Sequence, residues 1–197
     1  MAANSSKPAM AVMTIGHSTR STEEFIGMLQ AAGITHLVDI RTIPRSRHNP
    51  QFNSDALPES LRQAGIAYTH LRSLGGLRHA RPDSPNTGWR NASFRGYADY
   101  MQTPEFEAAL RSLIDLAEKE PVAIMCAEAV PWRCHRSLVA DALSIRGIPV
   151  EHILSDTRRD PHTLTSFALV QGPLVTYPGP DAASVPPRPA SKRLKKA

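Results

Sequence analysis

Residues 122–145 read VAIMCAEAVPWRCHRSLVADALSI and join a strand pattern to a helix pattern. Val122–Met125 form a short apolar run after Pro121, which is typical of a buried strand. After Cys134, apolar residues return at helical spacing. The loop between the two patterns therefore places its polar side chains at the carboxyl end of a strand. In an open parallel sheet this is the edge where ligands bind.

The same alternation of strand and helix patterns runs through the chain. It predicts a single α/β domain of three layers, with a mostly parallel sheet flanked by helices. Besides the strand at 122–125 and the helix after Cys134, the patterns predict strands at Ala11–Ile15, His36–Ile40, Ile66–Leu71 and Val150–Leu154, and helices at Thr22–Ala32, Leu57–Ala64, Phe94–Met101 and Pro104–Lys119.

The 197 residues suit one domain with two tails. We predict a mobile leader over residues 1–10, the domain over residues 11–170, and a proline-rich basic tail over residues 171–197. The prolines of that tail disfavour regular structure, so we expect it to be disordered.

The chain has the composition of a cytoplasmic protein. No apolar run approaches the roughly 20 residues that cross a bilayer, and the N-terminus lacks the apolar segment of a secretory signal. Cys126 and Cys134 are the only cysteines, too few for a disulfide framework. We expect free thiols, with a disulfide between them as the alternative, and no membrane association; the oligomeric state is left open.

Positive charge is concentrated in residues 41–95, which contain nine arginines and no lysine. The planar guanidinium suits bidentate contact with phosphate or carboxylate. This segment predicts an anionic ligand, and a solvated arginine-rich surface is the alternative. The basic end of the tail can attract nucleic acid through charge alone.

Two motifs follow the first two predicted strands. In TIGHSTR, residues 14–20, His17 is a candidate acid or base, and Ser18 and Arg20 are candidate phosphate ligands. Glycine at a strand end and serine before a helix are also common without a ligand. The motif lacks the spacing of a P-loop or a dinucleotide fingerprint, and we expect no cofactor.

The second motif is DIRTIPRSR, residues 39–47. Asp39, Arg41 and Ser46 are candidate ligand-binding residues, because a carboxylate can orient an arginine that holds phosphate. Arg45 and Arg47 could clamp phosphate together with Arg41. The alternative is a salt bridge from Asp39 that stabilises the proline turn.

The loop MCAEAVPWRCHR, residues 125–136, contains the remaining candidates. Cys126 and Cys134 compete as nucleophile, Glu128 and His135 are candidate proton-transfer groups, and Arg136 is a candidate phosphate ligand. A single free cysteine is more often a buried structural residue, so the argument rests on the whole set.

Two known kinds of site, the cysteine phosphatase loop and the zinc site, fit this loop poorly. Six residues separate Cys126 from Arg133, whereas a cysteine phosphatase loop has five between thiolate and arginine. Zinc accepts cysteine, histidine and carboxylate ligands, but the adjacent Cys134 and His135 lack the usual spacing of a ligand pair. We therefore expect no metal, with zinc as the alternative.

Five segments in this order resemble the domain of unknown function 488 family: TIGHSTRS, VDIRTIPRSR, HLRSLGGLR, FRGYADYM, and CAE followed by CHR. The resemblance covers roughly residues 13–156. It implies an α/β domain whose strand-end residues converge on one pocket, and members often carry a DNA-repair label. The matching positions are His17, Ser18, Arg20, Asp39, Arg41, Pro44, Ser46, Cys126, Glu128, Cys134, His135 and Arg136.

These observations predict an enzyme, a hydrolase or a transferase, that acts on a phosphate-bearing small molecule or on nucleic acid. A nucleotide-binding or nucleic-acid-binding protein with a role in nucleic-acid maintenance fits the arginines. Two alternatives remain: a noncatalytic module that binds nucleic acid or a partner, and an enzyme of thiol-dependent sulfur or acyl transfer.

Overall fold

The computed structural model describes residues 10–180, which contain five α-helices and eight strands. None of those helices is long and apolar enough to cross a membrane. In chain order the elements are β1 (Val12–Gly16), α1 (Thr22–Ala31), β2 (His36–Asp39), α2 (Leu57–Gln63), β3 (Ala67–His70), α3 (Ala92–Tyr100), α4 (Pro104–Ala117), β4 (Val122–Cys126), α5 (Arg136–Ser144), β5 (Val150–Ile153), β6 (Arg159–Pro161), β7 (Leu169–Gln171) and β8 (Leu174–Thr176).

Six strands form one sheet in the order β3-β2-β4-β1-β5-β6. The first five strands in this order are parallel, and only β6 runs antiparallel, against β5. The predicted α/β class with a mostly parallel sheet is confirmed, and the predicted strands and helices differ from the observed ones by one or two residues at their ends.

Helices cover both faces of the sheet and create two apolar cores. Strand β4 is buried on both faces, because Val122 and Ile124 pack with α3, α4 and α5 whereas Ala123 and Met125 pack with α1 and α2. This burial explains why β4 reads as a continuous apolar run rather than an alternating one. The central strand thus carries the loop after Cys126 on a rigid base.

The C-terminal part of the fold extends further than the sequence indicates. Strands β6, β7 and β8 have three residues each, and most of their side chains are exposed or half-buried, so they leave no periodic signal. The predicted tail begins at residue 171, yet residues up to Tyr177 form the β7–β8 hairpin and end in a fully buried tyrosine. The leader over residues 1–9 and the tail over residues 181–197 lie outside the described residues.

One buried carboxylate attaches this C-terminal segment to helix α5. Asp141 accepts hydrogen bonds from His162 Nε2 at 2.8 Å, from Thr165 N at 3.0 Å, from Thr165 Oγ1 at 2.7 Å and from the Tyr177 hydroxyl at 2.8 Å. Because a carboxylate only accepts, every one of these partners is a donor. Asp141 thus fixes residues 159–177 to the helix that follows the cysteine loop.

The same carboxylate sets the direction of a buried chain of hydrogen bonds. Since His162 Nε2 donates to Asp141, neutral His162 accepts at Nδ1 from His152 Nε2, 3.0 Å away. His152 then accepts at Nδ1 from the Thr14 hydroxyl at 2.7 Å. Burial and the neighbouring His162 lower the pKa of His152 to about 4.

This chain predicts a loss of stability in mild acid. The unfolded chain binds a proton at His152 near its ordinary pKa of 6.5, whereas the folded chain binds it only near 4. The stability that neutral His152 contributes to the folded protein is therefore fully present above about pH 6.5, and it is lost as the pH falls through 4. We expect the urea midpoint of the wild type to fall between pH 7 and pH 4 more steeply than that of His152→Gln.

The exposed His48 offers the control for this comparison. The variant His48→Gln should keep the wild-type dependence on pH. If His152→Gln and the wild type lose stability in parallel, His152 is not the group responsible.

Candidate active site

The carboxyl ends of three neighbouring strands bring the predicted site residues to one edge of the sheet. Gly16 of β1 is in register with Cys126 of β4, and Asp39 of β2 is in register with Met125. The residues that follow these strands therefore meet above β4. The sequence predicted this convergence from the position of each motif after a strand.

Two sulfurs and an imidazole nitrogen form a cluster at this edge. Cys126 Sγ and Cys134 Sγ each lie 3.7 Å from His135 Nδ1, and the three atoms are all within 4.8 Å of one another. Both cysteines are free and buried. His135 Nε2 lies 3.1 Å from the carbonyl oxygen of Ile40 and must donate to it. In the neutral ring, Nδ1 therefore presents its lone pair to the two sulfurs.

The pKa values of the two thiols are shifted in opposite directions. The pKa of Cys126 is held well below its ordinary value because the Cys134 thiol donates a hydrogen bond to its sulfur, with further help from His135 and the charge of Arg136. The pKa of Cys134 is raised by burial and by the neighbouring sulfur. Because the thiolate is the nucleophilic form, the lowered pKa favours Cys126, which is also the more exposed of the two residues, at 7% against 3%.

Packing holds the imidazole of His135 in place. The ring of Tyr97 lies 5.0 Å from the His135 ring. On another side lies Gly76, where an added Cβ would come within 2.5 Å of His135 Nδ1. Only glycine fits there. The second of the two adjacent glycines in the HLRSLGGLR segment is therefore a packing requirement of the imidazole.

A buried ion pair stands beside the cluster. Arg41 donates through Nε to both carboxylate oxygens of Asp39, at 2.9 and 3.1 Å, and through its terminal nitrogen at 2.6 Å. It also donates to the carbonyl oxygen of Phe52 at 2.7 Å. The Tyr68 hydroxyl donates to Asp39 at 2.9 Å. The salt bridge foreseen as the alternative for Asp39 is thus present, and Arg41 nevertheless lines the cavity.

His17 belongs to this network and has no free nitrogen. Its Nδ1 donates to the carbonyl oxygen of Ser18 at 2.8 Å, and its Nε2 accepts from Arg41 at 3.2 Å. Burial lowers its pKa, and its ring stacks on Phe52 with centroids 4.4 Å apart. The expected role of His17 as acid or base has no geometric support, because both nitrogens already have partners.

Two cavities adjoin at the cluster. The first has a volume of about 400 Å³ and reaches both cysteines, His135 and Gly76. The second has a volume of about 490 Å³ and reaches His17, Ser18, Arg45 and Ser46. Both are within the usual size of small-molecule sites. They share Arg41, Ile43, Ala127, Glu128 and Arg133.

Arg20 and Arg136 do not line either cavity. Arg20 donates to the carbonyl oxygens of Gly16 at 2.7 Å and Leu154 at 3.3 Å, and its Nε bonds to Glu24. The terminal nitrogens of Arg136 donate to the carbonyl oxygens of Glu128 and Ala129 at 2.5 and 2.8 Å. The expectation that these two arginines hold phosphate is not supported by their positions. Arg20 instead joins the ends of β1 and β5, and Arg136 stabilises the loop after β4.

Sequence reasoning identified Arg45 as a possible phosphate ligand but missed Arg133 as a residue of the cavities. Arg45 and Arg133 are exposed, and both line the second cavity. From the sequence, Arg133 was considered only as the arginine of a phosphatase loop, whose spacing it does not meet. Its place beside Cys134 in the sequence was the available signal, but its side-chain direction follows from the short helical turn at Pro131–Arg133.

Comparison with known proteins shows the family of this chain but not its activity. The family model described as "Domain of unknown function DUF488" matches residues 21–143. The chain therefore belongs to the DUF488 family, as its motifs had indicated. No curated protein and no solved structure matches the chain.

Proposed function

We propose that this protein is a cytoplasmic enzyme that transfers a sulfur or acyl group through a covalent adduct on Cys126, taken from a small phosphate-bearing substrate. The observation that carries the proposal is the thiol–imidazole pair of Cys126 and His135 at the wall of a cavity of about 400 Å³. A cytoplasmic location suits it, because the mechanism needs reduced thiols.

The first half of the reaction forms the adduct. His135 Nδ1 takes the proton of Cys126, and the thiolate attacks the electrophilic sulfur or carbonyl carbon of the substrate. The bond from that atom to the leaving group breaks, and the leaving group departs with the electron pair. Imidazolium His135 returns the proton to it. The fixed hydrogen bond from Nε2 to Ile40 keeps Nδ1 directed at the sulfur throughout.

The second half regenerates the enzyme. An acceptor, water or another nucleophile, loses its proton to His135 and attacks the group held on Cys126. The bond to sulfur breaks, and Cys126 leaves as the thiolate. Cys134 keeps its proton, because burial raises its pKa, and it can donate a hydrogen bond to Cys126 in the free enzyme.

The phosphate of the substrate serves as a handle rather than as the reacting group. Arg45, Arg133 and Ser46 lie around the second cavity, which opens beside the first. Arg136, which follows His135, has both terminal nitrogens engaged by loop carbonyls. A phosphoryl group at Cys126 would therefore lack this arginine. Cavities of this size also favour a nucleotide-sized ligand over a duplex.

Thiol labelling at pH 7 tests the proposal. We expect iodoacetamide to modify Cys126 alone, about tenfold faster than an ordinary thiol, because a larger share of it is thiolate. Incubation with p-nitrophenyl acetate or with inorganic polysulfide should add an acetyl group or one sulfur to Cys126. Peptide mass spectrometry locates the modification, and the two reagents separate acyl from sulfur chemistry.

Matched variants complete this experiment. Cys134→Ser should still form the adduct, whereas Cys126→Ser should form none. Adenosine monophosphate should slow the labelling of Cys126, and a single-stranded oligonucleotide should not. If only the oligonucleotide protects Cys126 from labelling, the substrate is a nucleic acid and the protein has a role in nucleic-acid maintenance. If both cysteines are labelled at the rate of free cysteine, Cys126 is not an activated nucleophile.

A further inference from the structure

The cysteine–histidine cluster has the dimensions of a metal site. In tetrahedral zinc sites, with bonds of 2.3 Å to sulfur and about 2.05 Å to nitrogen, neighbouring sulfur and nitrogen ligands are about 3.6 Å apart. The two sulfur–nitrogen distances to His135 Nδ1 are both 3.7 Å. The sulfurs are within 4.8 Å of each other, against about 3.8 Å in the tetrahedron.

The histidine is already oriented as a metal ligand. Metal-bound imidazoles usually donate their second ring nitrogen to a carbonyl or carboxylate, which fixes the tautomer. His135 Nε2 donates to the carbonyl oxygen of Ile40 in this way. Nδ1 is therefore the ring nitrogen that is free to bind a cation, and both sulfurs lie 3.7 Å from it.

The backbone explains how adjacent residues supply two of the ligands. Cys134 is extended, with φ −136° and ψ 145°, whereas His135 is helical, with φ −57° and ψ −16°. The chain turns between them, so that both side chains reach the same point. The objection from ligand spacing applies to pairs on one regular element and not to this junction.

We propose that Cys126, Cys134 and His135 form a site for Zn²⁺, with a fourth coordination position open to the first cavity. Two thiolates and one imidazole suit this cation, which prefers sulfur and nitrogen ligands. Both thiols bind as thiolates, and their protons pass to solvent or buffer. A bound ion occupies the lone pairs of Cys126, so it excludes the covalent chemistry proposed above. Metal binding itself does not depend on that chemistry.

Titration of the reduced, metal-free protein with Co²⁺ tests this site. We expect one equivalent to bind with sulfur-to-cobalt charge-transfer absorption and the intense visible bands of tetrahedral Co²⁺, and Zn²⁺ to displace it. Imidazole added to the cobalt form should shift the visible bands, because the fourth position is open. Zn²⁺ should also protect Cys126 of the wild type from iodoacetamide.

Single variants identify the ligands. Cys126→Ser, Cys134→Ser and His135→Asn should each weaken Co²⁺ binding by more than about a hundredfold, since loss of an outer-shell partner alone costs up to that much. The exposed His79 provides the control, and His79→Asn should bind as the wild type does. Circular dichroism establishes that each variant is folded.

Two results would overturn the site. One is the absence of charge-transfer absorption in the wild type, and the other is equal Co²⁺ binding by the double variant Cys126→Ser/Cys134→Ser. Neither bears on the proposed transfer reaction, which is measured in metal-free buffer by adduct formation.

Discussion

Asp39→Ala should destabilise the protein by about 3–5 kcal/mol, the usual cost of removing one partner of a buried ion pair. Asp39 is fully buried, and Arg41 is only 6% exposed. Without the carboxylate, the guanidinium stays in the interior with only a carbonyl and His17 as partners. Urea unfolding at pH 7 measures the loss.

Two comparisons isolate the effect of the buried charge. The double variant Asp39→Leu/Arg41→Met should recover part of the lost stability, because replacing both partners leaves no unpaired charge. Glu59→Ala removes the acid of an exposed pair with Arg62 and should change the urea midpoint little. A loss below about 1 kcal/mol in Asp39→Ala would mean that solvent reaches Arg41 and that the pair behaves as a surface pair.

Asp141→Ala should release the C-terminal segment from helix α5. The substitution leaves four donors of His162, Thr165 and Tyr177 without their acceptor. A buried donor left unpaired costs about 1–3 kcal/mol, so we expect a total loss of at least about 3 kcal/mol even if water satisfies some of the four. Limited proteolysis should cut the variant between residues 159 and 177.

The control for this substitution is Asp115→Ala, which removes an exposed carboxylate from helix α4. It should leave both the urea midpoint and the protease pattern as in the wild type. A protected C-terminal segment in Asp141→Ala would show that the apolar contacts of Tyr177 and Val175 hold the segment without the carboxylate.

The sequence predicted those parts of the fold that depend on local patterns. The apolar run of β4 and the caps of α1 and α4, Ser21 and Thr103, are strong local signals, and the structure contains both caps. Strands β6–β8 carry no such signal, because three mostly exposed or half-buried residues show no periodicity. Pairing with β5 places β6, and Asp141 holds the residues on either side of the β7–β8 hairpin through partners that lie 21 to 36 residues further along the chain.

The candidate site was likewise predictable from the sequence only in part. A motif after each central strand was sufficient to predict that His17, Arg41 and Cys126 would meet, since parallel strands end at one edge. Which arginines face the cavities was not predictable. Arg136 and Arg45 belong to equally basic motifs, and only the three-dimensional course of the loop carbonyls decides that the first is buried and engaged while the second lines a cavity.

A single peptide unit joins the two halves of the site. The carbonyl oxygen of Ile40 holds the imidazole of His135, and the next residue, Arg41, forms a wall common to both cavities. The peptide unit between Ile40 and Arg41 therefore connects the wall of the two cavities with the hydrogen bond that orients the ring of His135. A ligand that contacts Arg41 in the second cavity would therefore be linked to the orientation of His135 through one covalent bond, without any contact to the two sulfurs.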